Sequence, residues 1–273
     1  MKKIMISCFT RTPLHVGCGS SVGVVDLPVL RERTTGFPVI PGSTFKGVLA
    51  DLFLEQDGEQ LKRSNDGTRL FGSEKTENTK RGALLVGELR LAAFPVRSAK
   101  GGFVWATCPL ILERLGIAFN GKVDEMSCYG AETMAFENTL ILEEYSVERT
   151  GPVPEEVIDA LKVRCDVALW QNTLQTRLVV LSDTLFTYFA KYACEIAHHN
   201  KIDDATEIVK DGALFSQENV PSEAFFTGEI LSQNENDLAL LQERIQKEAH
   251  LLQIGADATT GLGWCSVTMG IIE

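Results

Sequence analysis

The chain has 273 residues, a formal net charge of −11 and a pI near 5.0, with 44% hydrophobic and 23% charged residues. This composition is typical of a globular protein, and no apolar run reaches the roughly 18 residues that a membrane-spanning helix needs. The net acidity disfavours nucleic-acid binding, but the acids concentrate in a few segments and the glycine-bearing stretches near both ends are less acidic. The lack of a long apolar run therefore predicts no membrane span, and the overall charge leaves RNA binding open.

The seven cysteines are widely scattered and form no CxxC pair, and the four histidines are too dispersed for a zinc-finger pattern. Such thiols are typical of buried, reduced cysteines in a reducing compartment. The first apolar run is also too short for a signal peptide. We therefore expect a cytoplasmic protein with no membrane partner and no structural zinc.

The first elements are a strand, a glycine-rich loop and a helix. Residues 4–9 alternate and predict the strand, and the loop HVGCGSSVGVVDLP follows at residues 15–28. Pro41-Gly42 then marks a turn, and Ser43 or Thr44 is expected to cap the helix that follows. The apolar positions of that helix have helical spacing and are Phe45, Val48, Leu49 and Leu52.

Lys46 lies near the start of this helix. A cation there opposes the helix dipole, so Lys46 needs either an anionic partner or full solvation. An anionic ligand would supply that partner.

The rest of the chain mixes strands and helices. Residues 57–82 predict a mobile loop apart from the LFG stretch, 83–96 a strand, and 103–116 a helix broken near Pro109. Further predictions, in order, are a strand in 137–148, a helix in 152–165, a strand in 176–183, an amphipathic helix over 183–199 with Leu185, Phe189, Tyr192 and Ile196 on its apolar stripe, a helix in 237–255 and a final strand to 273. With no repeating βαβ unit and no clear linker, this order predicts an α+β fold.

The two glycine-rich stretches fail the standard phosphate-loop patterns. Gly17, Gly19 and Gly23 miss GxGxxG by one residue, and GADATTGLGW (255–264) is no Walker A loop. Taken alone, each is more typical of a tight loop. One follows the first strand and the other precedes the last, however, and in ferredoxin-like folds such strands can lie close together. Two converging glycine-rich backbones could offer N–H donors to a polyanion, with Lys46 and its helix start as a third element.

Five stretches in a fixed order resemble a known family. They are residues 12–49, 82–96, 103–115, 210–226 and 252–264, of which the first and last, TPLHVGCGSSVGVVDLPVLRERTTGFPVIPGSTFKGVL and LQIGADATTGLGW, are the most specific. Together they resemble the backbone subunit of type III-B (Cmr) CRISPR effector complexes. That subunit is a RAMP protein that assembles in several copies along a guide RNA.

The resemblance implies a single RAMP domain over residues 1–273. Its fold would be α+β, with a ferredoxin-like (RRM-like) core, helical and loop insertions, and a thumb-like β-hairpin for which residues 213–226 are the candidate. A late glycine-rich loop near 255–263 would contact the RNA backbone. The RNA-binding residues that the resemblance implies are Gly17, Gly19, Ser43, Thr44, Lys46, Gly255, Thr259, Thr260, Gly261 and Gly263.

The resemblance also implies an endoribonuclease that cuts guide-paired, single-stranded target RNA at regular intervals, once per subunit. Asp26 of the GVVDLP motif would be the cutting residue, with His15 and Glu223 nearby. Asp26 could hold Mg²⁺ or Mn²⁺ completed by RNA phosphates, or help deprotonate the ribose 2′-hydroxyl, while His15 serves as acid or orienter. The implied partners are guide RNA, target RNA, further copies in a helical filament and other Cmr subunits.

Simpler interpretations stay open. Asp26 could only cap a turn, His15 could be a hydrogen-bonded structural residue, and Glu223 could be a first-turn acid of a helix. Three positions depart from the family pattern and weaken the positive charge on the RNA side: Ala50, Ala256 and Leu262. The alternative functions are a non-catalytic RNA-binding filament subunit and, more distantly, a small-molecule enzyme that binds a nucleotide.

Overall fold

The structure is a computed structural model that describes residues 1–73, 80–203, 206–210 and 212–272. The strands are β1 Lys2–Thr10, β2 Val39–Ile40, β3 Leu54–Asp57, β4 Gln60–Arg63, β5 Leu85–Val86, β6 Leu89–Ser98, β7 Gly102–Thr107, β8 Ser127–Gly130, β9 Thr139–Leu142, β10 Tyr145–Gly151, β11 Leu178–Leu181, β12 Glu195–His199, β13 Phe215–Asn219, β14 Phe225–Ser232, β15 Leu251–Gln253 and β16 Trp264–Ile272. The α-helices are α1 Gly42–Asp51, α2 Asn65–Phe71, α3 Pro109–Arg114, α4 Glu155–Lys162, α5 Ala168–Arg177, α6 Asp183–Tyr192 and α7 Glu235–Lys247. Short 3₁₀ turns cover Glu132–Met134 and Ala258–Thr260.

One large sheet organises the chain in the order β15-β16-β1-β14-β6-β7-β11-β8-β10-β9, with β2 added to β6 and β5 to β14. The end of this path pairs back on itself, because Ser98 of β6 lies opposite Leu142 of β9. Six strands, from β6 to β9 along this path, therefore close into a barrel-like ring. Two further pairs, β12 with β13 and β3 with β4, form separate two-stranded sheets. The mixed α/β composition is confirmed, whereas the closed ring was not predicted.

The first and last long strands lie side by side. β1 pairs antiparallel with both β14 and β16, and β14 pairs antiparallel with β6. Thr10 at the end of β1 lies opposite Cys265 at the start of β16. The glycine-rich segment after β1 and the one before β16 therefore leave the sheet at the same end, as predicted.

Two apolar clusters form the core. Successive side chains of β1 point to opposite faces, so Cys8 packs into the larger cluster and Phe9 into the smaller one. Phe9 meets the rings of Trp105 and Trp170 edge-on, with centroids 6.4 and 6.3 Å away. Helix α1 buries Phe45 against the larger cluster. Both faces of β1 are thus fixed by packing, which gives the loops that leave it a rigid base.

Four predicted segments were wrong, one of them the helix expected over 237–255, which ends at Lys247 and is followed by β15. The loop expected over 57–82 contains β4 and α2, and only its residues 74–79 lie outside the described ranges. The helix expected from residue 103 is β7 followed by α3, because Val104 and Trp105 pair with β6. The amphipathic helix over 183–199 ends at Tyr192, and the next residues form β12. For β7 and β12, pairing with another strand overrides the local pattern.

All seven cysteines are free, and five are buried. Burial raises the pKa of the Cys128 and Cys165 thiols to about 12. Cys18, in the first glycine-rich loop, is exposed, so the expectation of buried thiols fails there. Within the described ranges, no helix combines the length and apolar character needed to cross a bilayer.

Candidate functional site

The two glycine-rich loops are joined by backbone hydrogen bonds. Ala256 N–H donates to the His15 carbonyl at 2.9 Å, and Gly263 N–H donates to the Pro13 carbonyl at 2.8 Å. Gly255 has a φ of 84°, and a Cβ there would lie 2.2 Å from the His15 carbonyl oxygen. Only glycine lets the backbones approach this closely. The convergence expected from the sequence is therefore confirmed.

A cleft of about 630 Å³ opens where these loops meet α1. Its lining comprises His15, Val16, Gly17, Thr44, Val48, Asp51, Leu52, Glu248, Leu251, Leu252, Gln253, Gly255 and Ala256. The charged residues of this lining are two acids, with no Lys or Arg among them. An anion here would be bound by backbone N–H groups and by the Thr44 hydroxyl rather than by cationic side chains.

The start of α1 differs in detail from the prediction. Its N-cap is Pro41, with no side-chain cap, so neither Ser43 nor Thr44 caps the helix. Proline suits this position because its preset φ of −59° directs the chain into the helix. Thr44 lines the cleft, whereas Ser43 is exposed and Lys46 lies about 200° further round the helix. Among the described residues, Lys46 makes no hydrogen bond or ion pair, so either solvent or an external anion must meet its charge.

His15 is 6% exposed and is oriented by β13. Its Nδ1 lies 2.7 Å from the Glu218 carbonyl, which can only accept, so Nδ1 carries the proton. A Cβ on Gly17 would lie 2.6 Å from Nε2, which places that nitrogen against the loop backbone. A purely structural His15 was expected to have a hydrogen-bond partner, and the Glu218 carbonyl is that partner. This bond holds the first loop against β13.

Asp26 lies exposed at the far end of the first loop. Ser216 donates two hydrogen bonds to its Oδ2, from N–H at 2.7 Å and from Oγ at 2.8 Å. These bonds, with a smaller contribution from the nearby charge of His198, lower the pKa of the Asp26 carboxyl. Asp26 is therefore an ionised carboxylate at neutral pH, and no described residue bonds its Oδ1.

Strand β13 also anchors the chain that follows Asp26. Leu27 N–H donates to the Ser216 carbonyl at 3.0 Å, and Val29 N–H donates to Glu218 Oε2 at 2.9 Å. Arg31 Nη2 forms an ion pair with Glu218 Oε1 at 2.6 Å. The loop is a third strand-like segment laid along β13, so the position of Asp26 is set by β13.

The late loop uses the same strand. Gln217 donates from Nε2 to Asp257 Oδ2 at 2.9 Å. Beyond Asp257 the chain turns outward, leaving Thr259 and Thr260 exposed. Gly261 and Gly263 have φ values of 88° and 75°, which glycine adopts without strain. Residues 216–218 thus hold both loops: Ser216 and Glu218 hold the first loop and the chain after it, and Gln217 holds the late one. The sequence analysis did not single out Ser216, Gln217 or Glu218. The signal it could have used is the polar run that they form just before the more apolar residues 220–226.

Glu223 lies elsewhere. It lines a separate cleft of about 440 Å³ with Arg97 and Tyr192, and no hydrogen bond joins it to Asp26 or His15. Its Oε2 is buried without a partner among the described residues, its φ is 72°, and burial raises its pKa. It lies between β13 and β14, so it is not a first-turn acid of a helix.

The donor set around Asp26 limits what metal it could hold. The described residues contain no group of three or more His, Cys, Asp or Glu placed to hold a metal ion. Asp26 offers one free carboxylate oxygen, and Mg²⁺ is commonly bound by one or two carboxylates together with substrate phosphates. The residues fit a cation shared with a bound phosphate and do not fit a site built from protein side chains alone.

Comparisons with known proteins agree on the family. The model of the RAMP superfamily matches residues 9–266. The chain is 32% identical to the CRISPR system Cmr endoribonuclease Cmr4 of Pyrococcus furiosus over 291 residues, covering 98% of this chain and 96% of that protein. The crystal structure of oligomeric Cmr4 from P. furiosus superposes with a TM-score of 0.73 at 27% identity, covering 98% of both chains. A chain in the cryo-EM structure of type III-B Cmr-beta bound to cognate target RNA has a TM-score of 0.76, covering 98% and 96% of the two chains; at 19% identity it shows likeness of fold alone.

Proposed function

Because the chain belongs to the RAMP superfamily, we propose that it is a guide-RNA-binding backbone subunit of a cytoplasmic type III-B CRISPR effector complex that cuts paired target RNA. The observation that carries this proposal is Asp26, an exposed and ionised carboxylate held by Ser216 in the motif that the family resemblance assigns to cutting. A relative that matches nearly the whole chain is an endoribonuclease by name, which supports the same activity.

The chemistry we propose is attack by the ribose 2′-hydroxyl on the adjacent phosphorus, leaving a cyclic phosphate. Ser216 bonds Oδ2 of Asp26, which leaves Oδ1 as the atom that would face the RNA. We assign His15 the role of orienting the loop, since its Nδ1 is engaged by Glu218 and its ring is buried. Glu223 lines a different cleft, so within one chain we give it no direct part in the cut.

The proposed metal is Mg²⁺ or Mn²⁺, with Asp26 as its protein ligand and RNA phosphate oxygens completing the set. When bound, such a cation stabilises negative charge on the phosphate. Chelation with EDTA is therefore expected to stop cutting while leaving guide-RNA binding intact. Cutting at full rate in EDTA would contradict the metal assignment and leave the role of Asp26 standing.

The RNA-binding surface we propose joins the two glycine-rich loops, the cleft between them and the start of α1. Lys46 is a cation of this surface that lacks a described partner; Ser43 lies on the same face of α1, and Thr44 lies on the cleft side. Because the cleft lining carries acids, each subunit is expected to bind weakly, and many copies along one RNA supply the affinity. Head-to-tail contacts between copies would build the helical filament, with other Cmr subunits at its ends.

We further propose that residues 1–273 form one RAMP domain with a ferredoxin-like core. The neighbouring order β16-β1-β14-β6, antiparallel throughout, supports that core, with α1 after β1 and α7 after β14. The β12–β13 pair, which includes part of the 213–226 candidate, supports a thumb-like hairpin. The ring of six strands would then be the main insertion.

The test is Asp26→Ala in the effector complex reconstituted with guide RNA. The matched control is Asp124→Ala, an exposed acid whose described ion pair is with Lys122. We expect the Asp26 variant to assemble and bind target RNA but to make no cuts, while the control cuts normally. Undiminished cutting by a normally assembled Asp26 variant would refute the catalytic assignment and favour a structural RNA-binding subunit. Saturable nucleotide binding by the isolated chain would instead favour a small-molecule enzyme.

A further inference from the structure

A second ionisable side chain lies beside Asp26, on β12. The register of the β12–β13 pair places His198 directly opposite Ser216, the residue that holds Asp26. Residues directly opposite in an antiparallel pair point to the same face of the sheet. His198 and the Ser216 hydroxyl therefore share a face with the Asp26 carboxylate.

The hydrogen-bonding pattern brings these side chains closer still. Ser216 N–H donates to Asp26, and the Ser216 carbonyl accepts from Leu27 N–H. Both backbone groups of Ser216 therefore point away from β12. His198 and Ser216 are then a non-hydrogen-bonded pair, the kind with Cα atoms only about 4.5 Å apart and the closest side chains. Charge on His198 is the smallest of the effects that lower the pKa of the Asp26 carboxyl, after the two Ser216 bonds and the backbone N–H of Asp26 itself.

The neighbouring histidine serves as an internal comparison. His199 lies opposite Phe215 and stacks on its ring, with centroids 5.0 Å apart and planes 16° from parallel. By strand alternation it faces away from Asp26. His198, in contrast, is exposed and can reach a bound RNA. Of this adjacent pair, His198 is the one placed to take part in chemistry at Asp26.

We propose that His198 is a catalytic residue that acts as general acid on the leaving 5′-oxygen of the target RNA. This inference rests on the proposed nuclease function. In the step, the 2′-oxygen forms a bond to phosphorus and its proton passes to a water molecule on the Asp26 side. The bond from phosphorus to the 5′-oxygen breaks, and the proton of the His198 imidazolium goes to that oxygen. The products are a 2′,3′-cyclic phosphate and a 5′-hydroxyl, and the neutral imidazole regains a proton from solvent.

The role suits the residue type. Histidine is the side chain that ordinarily changes charge between pH 5 and 8, so it can give and regain a proton near neutrality. Asp26, being ionised, is an acceptor and cannot protonate a leaving group. A neighbouring acid of a different kind would supply the proton that Asp26 lacks.

The experiment compares two target RNAs in the reconstituted, guide-loaded complex, one ordinary and one with sulfur in place of the 5′-oxygen at the cut. A thiol has a pKa of about 8.5, so the thiolate leaves without a proton donor. We expect His198→Ala to slow cutting of ordinary RNA by about 100-fold or more, because general acid catalysis contributes at least that much. Cutting of the sulfur-substituted RNA should stay within about threefold of the unsubstituted protein's rate.

Three further measurements separate the possible failures. His198→Gln should reproduce the alanine result with guide-RNA binding unchanged, and His199→Asn should cut both RNAs normally. Equal slowing of both RNAs by His198→Ala, or normal cutting of both, would overturn the general-acid assignment. If the nuclease proposal holds, Asp26→Ala should cut neither RNA. Normal cutting by Asp26→Ala would instead refute the nuclease proposal itself.

Discussion

Replacing Glu218 with alanine tests whether β13 sets the position of the loop that carries Asp26. The Glu218 and Arg31 side chains are only 10% and 18% exposed, and their ion pair is 2.6 Å long. Removing one partner of such a pair costs about 3–5 kcal/mol because a charge stays buried and uncompensated. Arg31 keeps its bonds to the Gly36 and Ala190 carbonyls, so the lower end applies here.

A second loss adds to the first. Val29 N–H also loses its acceptor, which lowers the free energy of unfolding by about 1 kcal/mol. The total for Glu218→Ala is about 3–4 kcal/mol in the free energy of unfolding, or roughly 10 °C in melting temperature for a chain of this size. Glu218→Gln keeps an oxygen for Val29 N–H and should lose about half as much.

The assay is urea and thermal unfolding of the isolated chain, with amide hydrogen exchange across residues 26–31. The matched control is Glu229→Ala, whose ion pair with Lys3 is 53% exposed on the acid side and should contribute less than about 1 kcal/mol. We expect exchange at Leu27 and Val29 to speed up in Glu218→Ala alone. If Glu218→Ala and Glu229→Ala lose equal stability and exchange equally, β13 does not hold the loop.

Three other outcomes follow from the same structure. Gly255→Ala should weaken guide-RNA binding, because its Cβ would lie 2.2 Å from the His15 carbonyl oxygen. The control Gly47→Ala has open space around it and should bind normally while gaining about 0.5–1 kcal/mol of stability. Equal binding by both variants would contradict the close approach of the two loops. Burial raises the pKa of Glu223 above its ordinary value of 4.5, so its contribution to stability is full below that value and falls as the pH rises through the raised pKa. Glu223→Gln should therefore gain melting temperature relative to the unsubstituted protein between pH 4 and pH 7, and a constant difference across that range would be evidence against the raised pKa. Cys18 is the exposed thiol, so it should react first with a thiol reagent in the folded chain, and Cys18→Ser should abolish that fast phase; a fast phase that survives would show that another cysteine is open.

Local patterns were sufficient for the elements that position the two loops. β1 alternates, α1 has apolar residues at helical spacing, and the final strand follows a glycine-rich turn, so all three were predicted close to their observed bounds. That β1 and β16 lie side by side in the sheet was also expected. The ring of strands was not, because it depends on the pairing of Ser98 with Leu142, which no local pattern encodes.

The limits of prediction are clearest at the site itself. Asp26 is recognisable from its motif, but its partner Ser216 is 190 positions away and has no motif of its own. His198 was read as part of a helix, because the apolar stripe of α6 continues in sequence past the end of the helix. The pairing of His198 with Ser216 requires the β12–β13 register, and the contact of Asp26 with Ser216 requires the first loop to lie along β13; both are tertiary features. Sequence therefore pointed to the proposed reacting group, Asp26, and the fold supplied its surroundings.

The most direct test of the central role of Asp26 is a dilution experiment in the reconstituted complex. Complexes are assembled from mixtures of the unsubstituted chain and Asp26→Asn, and the initial rate of each cut in one target RNA is measured. If every subunit cuts with its own Asp26, the rate at each position falls in proportion to the variant fraction and reaches zero for the pure variant. Full-rate cutting at every position by complexes made only of Asp26→Asn would contradict the account.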